Sequence, residues 1–156
     1  MEFRRATRKD AEAFVENRIE FLTLIRTIEQ PEKFRVETLA YILEHIGMDD
    51  LVIFLALDGD TIASSCMACI FRTAPVPSCP NGKAAELLNV YTKQAYRRMG
   101  LAEKLVRMML SELQSRGVDK VLLDYTDDGL PLYRKLGFTI LPQEMQLRLP
   151  APQLDL

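Results

Sequence analysis

The sequence predicts an α/β (α+β) fold, built on a mixed, mostly antiparallel sheet of seven strands with helices on both faces. Asp58-Gly59 separates two strand-like runs, which is a signal for a two-residue β-hairpin. Further along, strand-like and helix-like segments alternate, as they do in β-α-β units. One helix, at residues 97–116, has an apolar face for packing on a sheet. That face is formed by Ala102, Leu105, Val106, Met109, Leu110 and Leu113.

Five elements are predicted in the first half of the chain. In order, they are a strand at 2–6, helices at 7–28 and 33–46, and strands at 51–57 and 61–72. Thr7, with Asp10 three residues later, forms a capping-box pattern at the start of the first helix. Pro31 separates the two helices because proline breaks the helical hydrogen-bond pattern, and Gly47 ends the second helix.

The second half begins with a long irregular segment at residues 73–83, which holds three prolines and Asn81-Gly82. Long loops inside compact domains are often functional, and a plain surface excursion is the alternative. The elements predicted after it are a strand at 84–92, helices at 97–116 and 128–136, and strands at 121–125, 138–141 and 144–149. Pro150 closes a single domain at residues 1–150, which leaves 151–156 as a C-terminal tail.

Composition excludes several classes of protein. The 156 residues are 48% hydrophobic and 27% charged, which suits one globular domain. A net charge of −2 disfavours a nucleic-acid partner, because such proteins usually carry a strongly basic face. No apolar run is long enough for a membrane span, and the N-terminus does not resemble a signal peptide. We therefore expect a cytoplasmic protein with no membrane partner.

The cysteines and the histidine do not predict a metal site or a disulfide framework. Three cysteines are an odd number. Cys66 and Cys69 lie three apart in a predicted strand, so their side chains point to opposite faces. His45 is the only histidine and lies near a helix end, where its charge is favourable. We expect no bound metal.

The turn at residues 97–102 is the most informative motif because it joins a strand to the amphipathic helix. The backbone N–H groups of a first helical turn are free, and the helix dipole adds positive charge there. Small residues allow close approach, and arginine pairs with phosphate oxygens. The turn therefore suits a phosphate; a helix start with solvated arginines is the alternative. Its residues are Arg97, Arg98, Met99, Gly100, Leu101 and Ala102.

Residues 86–138 resemble the general N-acetyltransferase (GNAT) superfamily. Four features occur in the order found in that family. They are a strand ending in Val90, Tyr91 and Thr92, the turn at 97–102 with its helix, a strand at 121–125, and the Leu-Tyr and Gly-Phe pairs of residues 132–138. The resemblance implies acetyl-CoA as acyl donor, with its pyrophosphate on the turn and its pantetheine arm between the two strands. It also implies a β-bulge with an oxyanion-binding N–H near Val90 or Tyr91.

The resemblance further implies roles for three side chains. Tyr133 takes the position of a tyrosine that protonates the departing sulfur; packing of its ring is the alternative. Glu86 lies eleven residues before Arg97, where some family members carry a general base. Strand alternation puts Glu86 on the face of Leu88, Val90 and Thr92, and a Glu at a strand end that reaches solvent is the alternative. Thr126 stands where the family often has asparagine, and it could bond the pantetheine arm.

These observations predict an acyl-CoA-dependent N-acetyltransferase that acts by direct attack of a primary amine in a ternary complex. The acceptor is expected to be a small-molecule or peptide amine, and the resemblance implies a possible homodimer. One alternative is a catalytically silent CoA-binding regulatory or interaction module on the same fold. Another is a nucleotide-binding module, which is disfavoured because the chain lacks the GxGxxG and GxxxxGK[ST] patterns.

Overall fold

The computed structural model describes residues 1–152, and within them the sheet has five strands in the order β1-β2-β3-β4-β5. Neighbouring strands pair antiparallel except β4 and β5, which pair parallel. The mixed, mostly antiparallel sheet is thus confirmed. The elements are β1 (Glu2–Arg5), α1 (Ala11–Ile25), α2 (Pro31–His45), β2 (Leu51–Asp58), β3 (Thr61–Arg72), β4 (Lys83–Thr92), α3 (Leu101–Ser115), β5 (Lys120–Leu122) and α4 (Leu130–Lys135).

The chain divides into two compact units, Met1–Asp124 and Tyr125–Leu156. The first unit contains all five strands and the helices α1 to α3, and the second contains α4. Of the tail predicted at 151–156, Ala151 and Pro152 are exposed and lie outside regular secondary structure. The rest of that tail lies outside the described residues.

In the first unit, helices cover both faces of the sheet. Alternate residues of β2 pack with Phe14 of α1 and Ile42 of α2 in one buried cluster. The opposite face meets α3, where the Cys66 thiol of β3 donates to the carbonyl of Leu105 at 3.6 Å. Leu105 itself is fully buried. Cys69 lies on the face that α1 and α2 cover, which we call the α1 face, since its sulfur is 3.5 Å from the Tyr41 hydroxyl of α2.

The capping-box prediction at the N-terminus is confirmed. The Thr7 N–H donates to the Asp10 carboxylate at 2.7 Å, and Arg4 donates to both oxygens of the same carboxylate at 2.8 Å. A short 3-10 turn at Arg8–Asp10 precedes α1, so the α-helix starts later than predicted. Pro31 begins α2 instead of preceding it, because the fixed φ of proline fits a first helical turn.

The irregular connection predicted at 73–83 is a closed loop. The Thr73 N–H donates to the Gly82 carbonyl at 2.8 Å, which brings the two ends together. Gly82 has a φ of +69°, and a Cβ there would lie 2.3 Å from the Thr73 oxygen. Only glycine fits this close approach. Within the loop, Cys79 is fully buried and its backbone forms an antiparallel β-bridge with Val76, so the loop has a packed interior.

The prediction of seven strands is wrong, since residues 138–141 and 144–149 form no strand. The chain leaves α4 through Gly137, and the Phe138 N–H donates back to the Tyr133 carbonyl at 3.0 Å. Beyond this point Met145 is 96% and Leu147 83% exposed. Apolar alternation marks the face that a strand would bury. It does not supply the hydrogen-bonding edge that a strand needs, and short unpaired strands are marginal in water.

No helix within residues 1–152 is both long and apolar enough to cross a lipid bilayer.

Candidate functional site

The centre of the candidate site is a β-bulge in β4. Along the β3–β4 ladder, Ser65 pairs with Tyr91, but Met67 pairs with Leu88, so β4 contains one extra residue between them. Asn89 lies in this interval and has a φ of +53°, in the left-handed region. A bulge leaves its extra residue outside the regular ladder. The bulge expected from the resemblance near residues 90 and 91 is therefore present, one residue earlier.

The bulge also changes which side chains share a face. Tyr91 follows Leu88 onto the α1 face: its hydroxyl donates to Glu20 at 2.7 Å, and its ring stacks on Phe21 at 5.3 Å. Thr92 lies on the α3 face, where its hydroxyl is 2.8 Å from that of Ser64. The expectation that Thr92 shares the face of Glu86 is thus wrong. Strict alternation fails because the bulge places two successive residues on one side.

A buried polar network holds Asn89 in this conformation. Its amide nitrogen donates to the Ser65 hydroxyl at 2.9 Å, and that hydroxyl donates to the Asn17 carbonyl oxygen at 2.6 Å. The side-chain amide oxygen of Asn89 accepts a hydrogen bond from Arg18 of α1 at 3.3 Å. The sequence interpretation missed Asn17, Arg18 and Asn89 as a group. The available signal was an asparagine inside an apolar strand, where asparagine is disfavoured.

Beyond the bulge, β4 has an open edge. β5 pairs with β4 only as far as Glu86, opposite Leu122, whereas β4 continues to Thr92. None of the described strands pairs with β4 on this side after Glu86. The two strands therefore separate, as the resemblance implies, although β5 is shorter than the predicted 121–125. Unpaired backbone groups at a strand edge can bind an extended ligand as an added strand would.

The open edge runs directly into the predicted phosphate turn. A 3-10 turn at Gln94–Tyr96 follows β4, and the Arg97 side chain donates back to the Thr92 carbonyl at 3.4 Å. Arg98 and Gly100 have φ values of +61° and +74°, in the left-handed region. Residues of alternating handedness can turn successive N–H groups to one side and so form an anion-binding concavity.

The helix itself begins at Leu101, four residues later than predicted. The apolar face begins at Ala102 and so lies wholly within the helix, whose start is set by the left-handed Gly100. Gly100 is the N-cap, and no side chain caps α3. Arg98 and Met99 are exposed beside this helix end. The arrangement gives the positive end of the helix dipole and two arginines on one surface, which suits a diphosphate.

Glu86 lies on the α1 face, partly buried and paired in register with Cys69. Its carboxylate makes no hydrogen bond or ion pair with any residue that the structure describes. Burial lowers the pKa of Arg18, and the negative charge of Glu86 opposes that shift. Glu86 is therefore close to a positive charge as well as to apolar side chains. Both earlier readings of Glu86, general base and solvated strand residue, remain open.

The second unit contains the other two predicted site residues, Thr126 and Tyr133. Tyr133 is buried, and its ring packs edge to face against that of Phe138, with the ring centroids 5.8 Å apart. This contact supports the packing role. The Gly129 N–H donates to the Thr126 hydroxyl oxygen at 3.3 Å, which leaves the hydroxyl proton able to donate elsewhere. A Cβ on Gly129 would lie 2.9 Å from the Tyr133 ring, so Tyr133 requires glycine there.

The acetyltransferase (GNAT) family matches this chain over residues 19–138. A curated relative, the glucosamine 6-phosphate N-acetyltransferase of Trypanosoma brucei brucei, is 36% identical over 61 residues. The match covers 39% of this chain and 42% of that protein, so it spans less than half of the relative's length.

Solved structures share the fold of nearly the whole chain. One is a predicted acetyltransferase of Clostridium acetobutylicum with acetyl-CoA, at a TM-score of 0.85 and 22% identity, covering 94% of this chain and 95% of that one. A GCN5-related N-acetyltransferase of Ralstonia eutropha JMP134 aligns at a TM-score of 0.84 and 21% identity, covering 95% and 97%. The glucosamine-6-phosphate N-acetyltransferase of Arabidopsis thaliana aligns at 0.70 and 20% identity, covering 96% and 98%.

Proposed function

Because the chain belongs to the acetyltransferase (GNAT) family, we propose that it transfers an acetyl group from acetyl-CoA to a primary amine. The amine attacks the thioester directly in a ternary complex. The observation that carries this proposal is the open edge of β4, which runs from the bulge into the left-handed turn before α3. This one continuous surface offers backbone groups for an extended arm and an anion site for a diphosphate.

The donor's diphosphate is held by the turn. Backbone N–H groups around Gly100 bind the phosphate oxygens, and the exposed Arg97 and Arg98 add charge-assisted contacts. The pantetheine arm lies along β4 beyond Glu86, where the backbone has no partner strand. By resemblance, Thr126 adds a hydrogen bond to the same arm.

The bulge supplies the oxyanion contact. A backbone N–H at Val90 or Tyr91, next to the extra residue of the bulge, donates to the thioester oxygen as it becomes negative. One such donor typically contributes about 10²- to 10³-fold in rate. The Asn89 network fixes this backbone, so the donor needs no rearrangement during the reaction.

Proton transfers are assigned to Glu86 and Tyr133. An alkyl amine is neutral only about one time in a thousand at pH 7, so a base must take its proton. Glu86 lies on the α1 face, near the bulge, and carries no competing partner in the part of the chain that the structure describes. The tyrosine assignment rests on the resemblance: a phenol can protonate a departing thiolate of similar basicity.

The acceptor is a small-molecule or peptide amine. The Trypanosoma relative acts on glucosamine 6-phosphate, and this makes a phosphorylated amino sugar one acceptor to test. We also propose a cytoplasmic location, tested by fractionation of cells, and a homodimer, tested by light scattering of the purified chain.

Tyr133→Phe tests the transferase directly. The variant removes only the hydroxyl, so we expect kcat to fall about 10²- to 10⁴-fold while acetyl-CoA binds as before. CoA release over a panel of amines gives the rate, and calorimetry gives the binding. Tyr96→Phe is the matched control, because its hydroxyl donates to Asp58 on the β2–β3 hairpin.

Two outcomes would contradict the proposal. Unchanged activity of Tyr133→Phe would remove the tyrosine from the mechanism. A wild-type protein that binds acetyl-CoA but acetylates no amine would instead support the silent CoA-binding module.

A further inference from the structure

Arg18 of α1 is a cation without a direct counter-charge. Its side chain is partly buried and makes one hydrogen bond, to the side-chain amide oxygen of Asn89 at 3.3 Å. Arg18 forms no ion pair with any of residues 1–152. Arginine is rarely withdrawn from water unless a carboxylate or a phosphate pairs with it. The fold therefore keeps a guanidinium group that finds no carboxylate partner among residues 1–152.

The groups around Arg18 do not neutralise it. Glu86 is near enough to influence it electrostatically but makes no direct ion pair with it. Arg26, the residue that follows the last residue of α1, adds a second positive charge near Arg18. The Cys69 sulfur is in hydrogen-bond contact with the Tyr41 hydroxyl. Burial raises the pKa of the Cys69 thiol, so the thiol stays uncharged.

The position of Arg18 links it to the proposed reaction centre. Its hydrogen-bond partner, Asn89, immediately precedes Val90, where the thioester oxygen is proposed to bind. Arg18 and Glu86 both lie on the α1 face of β4, so a molecule that offers its amine to Glu86 extends past Arg18.

We propose that Arg18 binds an acidic group, a carboxylate or a phosphate, carried by the acceptor amine. This inference rests on the proposed function and names the class of its acceptor. A guanidinium fork donates two parallel hydrogen bonds to such an oxyanion and fixes its orientation. The acceptors selected are small amines with an acidic group a few bonds from the nitrogen. Polyamines and lysine-rich peptides are disfavoured, because a second cation would face Arg18.

Matched pairs of amines test the proposal. Each pair shares one skeleton and differs in the acidic group: an α-amino acid and its amide, and an amino sugar with and without a phosphate ester. In Arg18→Met we expect kcat/KM for the acidic member of the preferred pair to fall about 10- to 100-fold, with the neutral member changing less than about twofold. Arg18→Lys should restore part of the preference because lysine keeps the charge but loses the fork.

Arg107→Met is the control variant. Arg107 is an exposed arginine of α3, on the other face of the sheet, and is paired with Glu103. It should leave both members of every pair unchanged. Equal losses for acidic and neutral amines in Arg18→Met would show that Arg18 only positions Asn89, and this would overturn the proposal. An unchanged preference would overturn it too.

Binding of inorganic phosphate separates this inference from the transferase function. The wild-type chain, Arg18→Lys and Arg18→Met are titrated with inorganic phosphate, and the unfolding temperature of each is followed. We expect wild type to bind phosphate at least about tenfold more tightly than Arg18→Met. The turn before α3 is common to all variants, so the difference reports on Arg18. If the variants differ in phosphate affinity but the wild type acetylates no amine, the anion site stands and the transferase function is rejected. Equal phosphate binding by all variants would reject the anion site.

Discussion

At the scale of single residues, Asn89 shows how side-chain contacts hold a backbone conformation that a strand does not otherwise use. A left-handed φ costs a non-glycine residue about 1–2 kcal/mol, and asparagine tolerates it better than most residues. Hydrogen bonds with Ser65 and Arg18 offset this cost because they are largely buried. The conformation and the contacts therefore depend on each other.

Asn89→Ala and Asn89→Gly separate these two contributions. Both remove the side-chain hydrogen bonds, but only glycine adopts a φ of +53° freely. We expect urea unfolding to show a loss of about 2–4 kcal/mol for alanine and about 1 kcal/mol less for glycine. Equal stabilities of the two variants would show that the backbone is not strained. Both should lower kcat, since neither holds the bulge in place.

The positions of the site residues differed in how far the sequence could predict them. Glu86 and the turn arginines could be placed, because their offsets along the chain are short and fixed by one strand and one helix. The Asn89 network could not, because it joins residues that are 24 and 71 positions apart in the chain. The register of β3 against β4 and the packing of α1 on the sheet bring those residues together.

At the scale of elements, the start of α1 depends on one carboxylate. Hydrogen bonds from Arg4 hold the pKa of Asp10 well below its usual range, and the Thr7 N–H and hydroxyl contribute, while burial acts in the opposite direction. A lowered folded-state pKa means that the stabilisation is complete above the unfolded pKa, near 4, and is lost as the pH falls through the folded value.

Asp10→Asn therefore should reduce stability in a pH-dependent way. The charge-assisted bond from Arg4 and the helix-capping contact together predict a loss of about 1–2 kcal/mol at pH 7, an amount moderated by solvent at this surface. Below about pH 4 the difference between wild type and variant should shrink. Urea unfolding at pH 7 and at pH 3 measures it. A constant difference would show that the Asp10 charge is not involved.

Element boundaries show where sequence patterns stop being informative. The span of β3 agrees with the prediction at both ends, because the hairpin signal on one side and the proline-rich loop on the other are local. The start of α3 differs from the prediction, since the left-handed Gly100 makes the helix begin at Leu101 and not at Arg97. The strands predicted at 138–141 and 144–149 fail for a nonlocal reason, the lack of a pairing edge.

At the scale of the whole molecule, donor binding should stabilise the folded chain. A ligand at 100 times its Kd adds about 2.7 kcal/mol, which for a chain of this size raises Tm by about 5–10 °C. We expect acetyl-CoA to produce this shift in a thermal unfolding experiment. Gly100→Glu should abolish it, because its carboxylate would face the diphosphate.

Gly117→Glu is the matched control for that experiment. Gly117 follows the other end of α3, has a φ of +77° like the +74° of Gly100, and has open space around its Cα. Both variants carry the same backbone strain and the same added charge. A shift that survives in Gly100→Glu, or that disappears in Gly117→Glu as well, would place the diphosphate elsewhere.

The overall architecture was predictable to the extent that it depends on local signals. The hairpin at Asp58-Gly59 fixes one antiparallel pair, and a helix between β4 and β5 permits a parallel one. The family match over residues 19–138 agrees with this order of elements. The number of strands depends on pairing in space, which a linear pattern does not contain.

The bulge means that β4 contains a residue that its architecture does not need. If Asn89 were excised, Tyr91 would move one place toward Leu88, and the ladder with β3 would become continuous without turning over any remaining side chain. Excision would relieve the left-handed backbone but would also remove the hydrogen-bond partner of Ser65 and Arg18, so the shortened protein should lose about as much stability as Asn89→Gly, and its catalysis as well. An extra residue that strand pairing does not call for, held in place by its own buried hydrogen bonds, is what selection for turnover would leave behind.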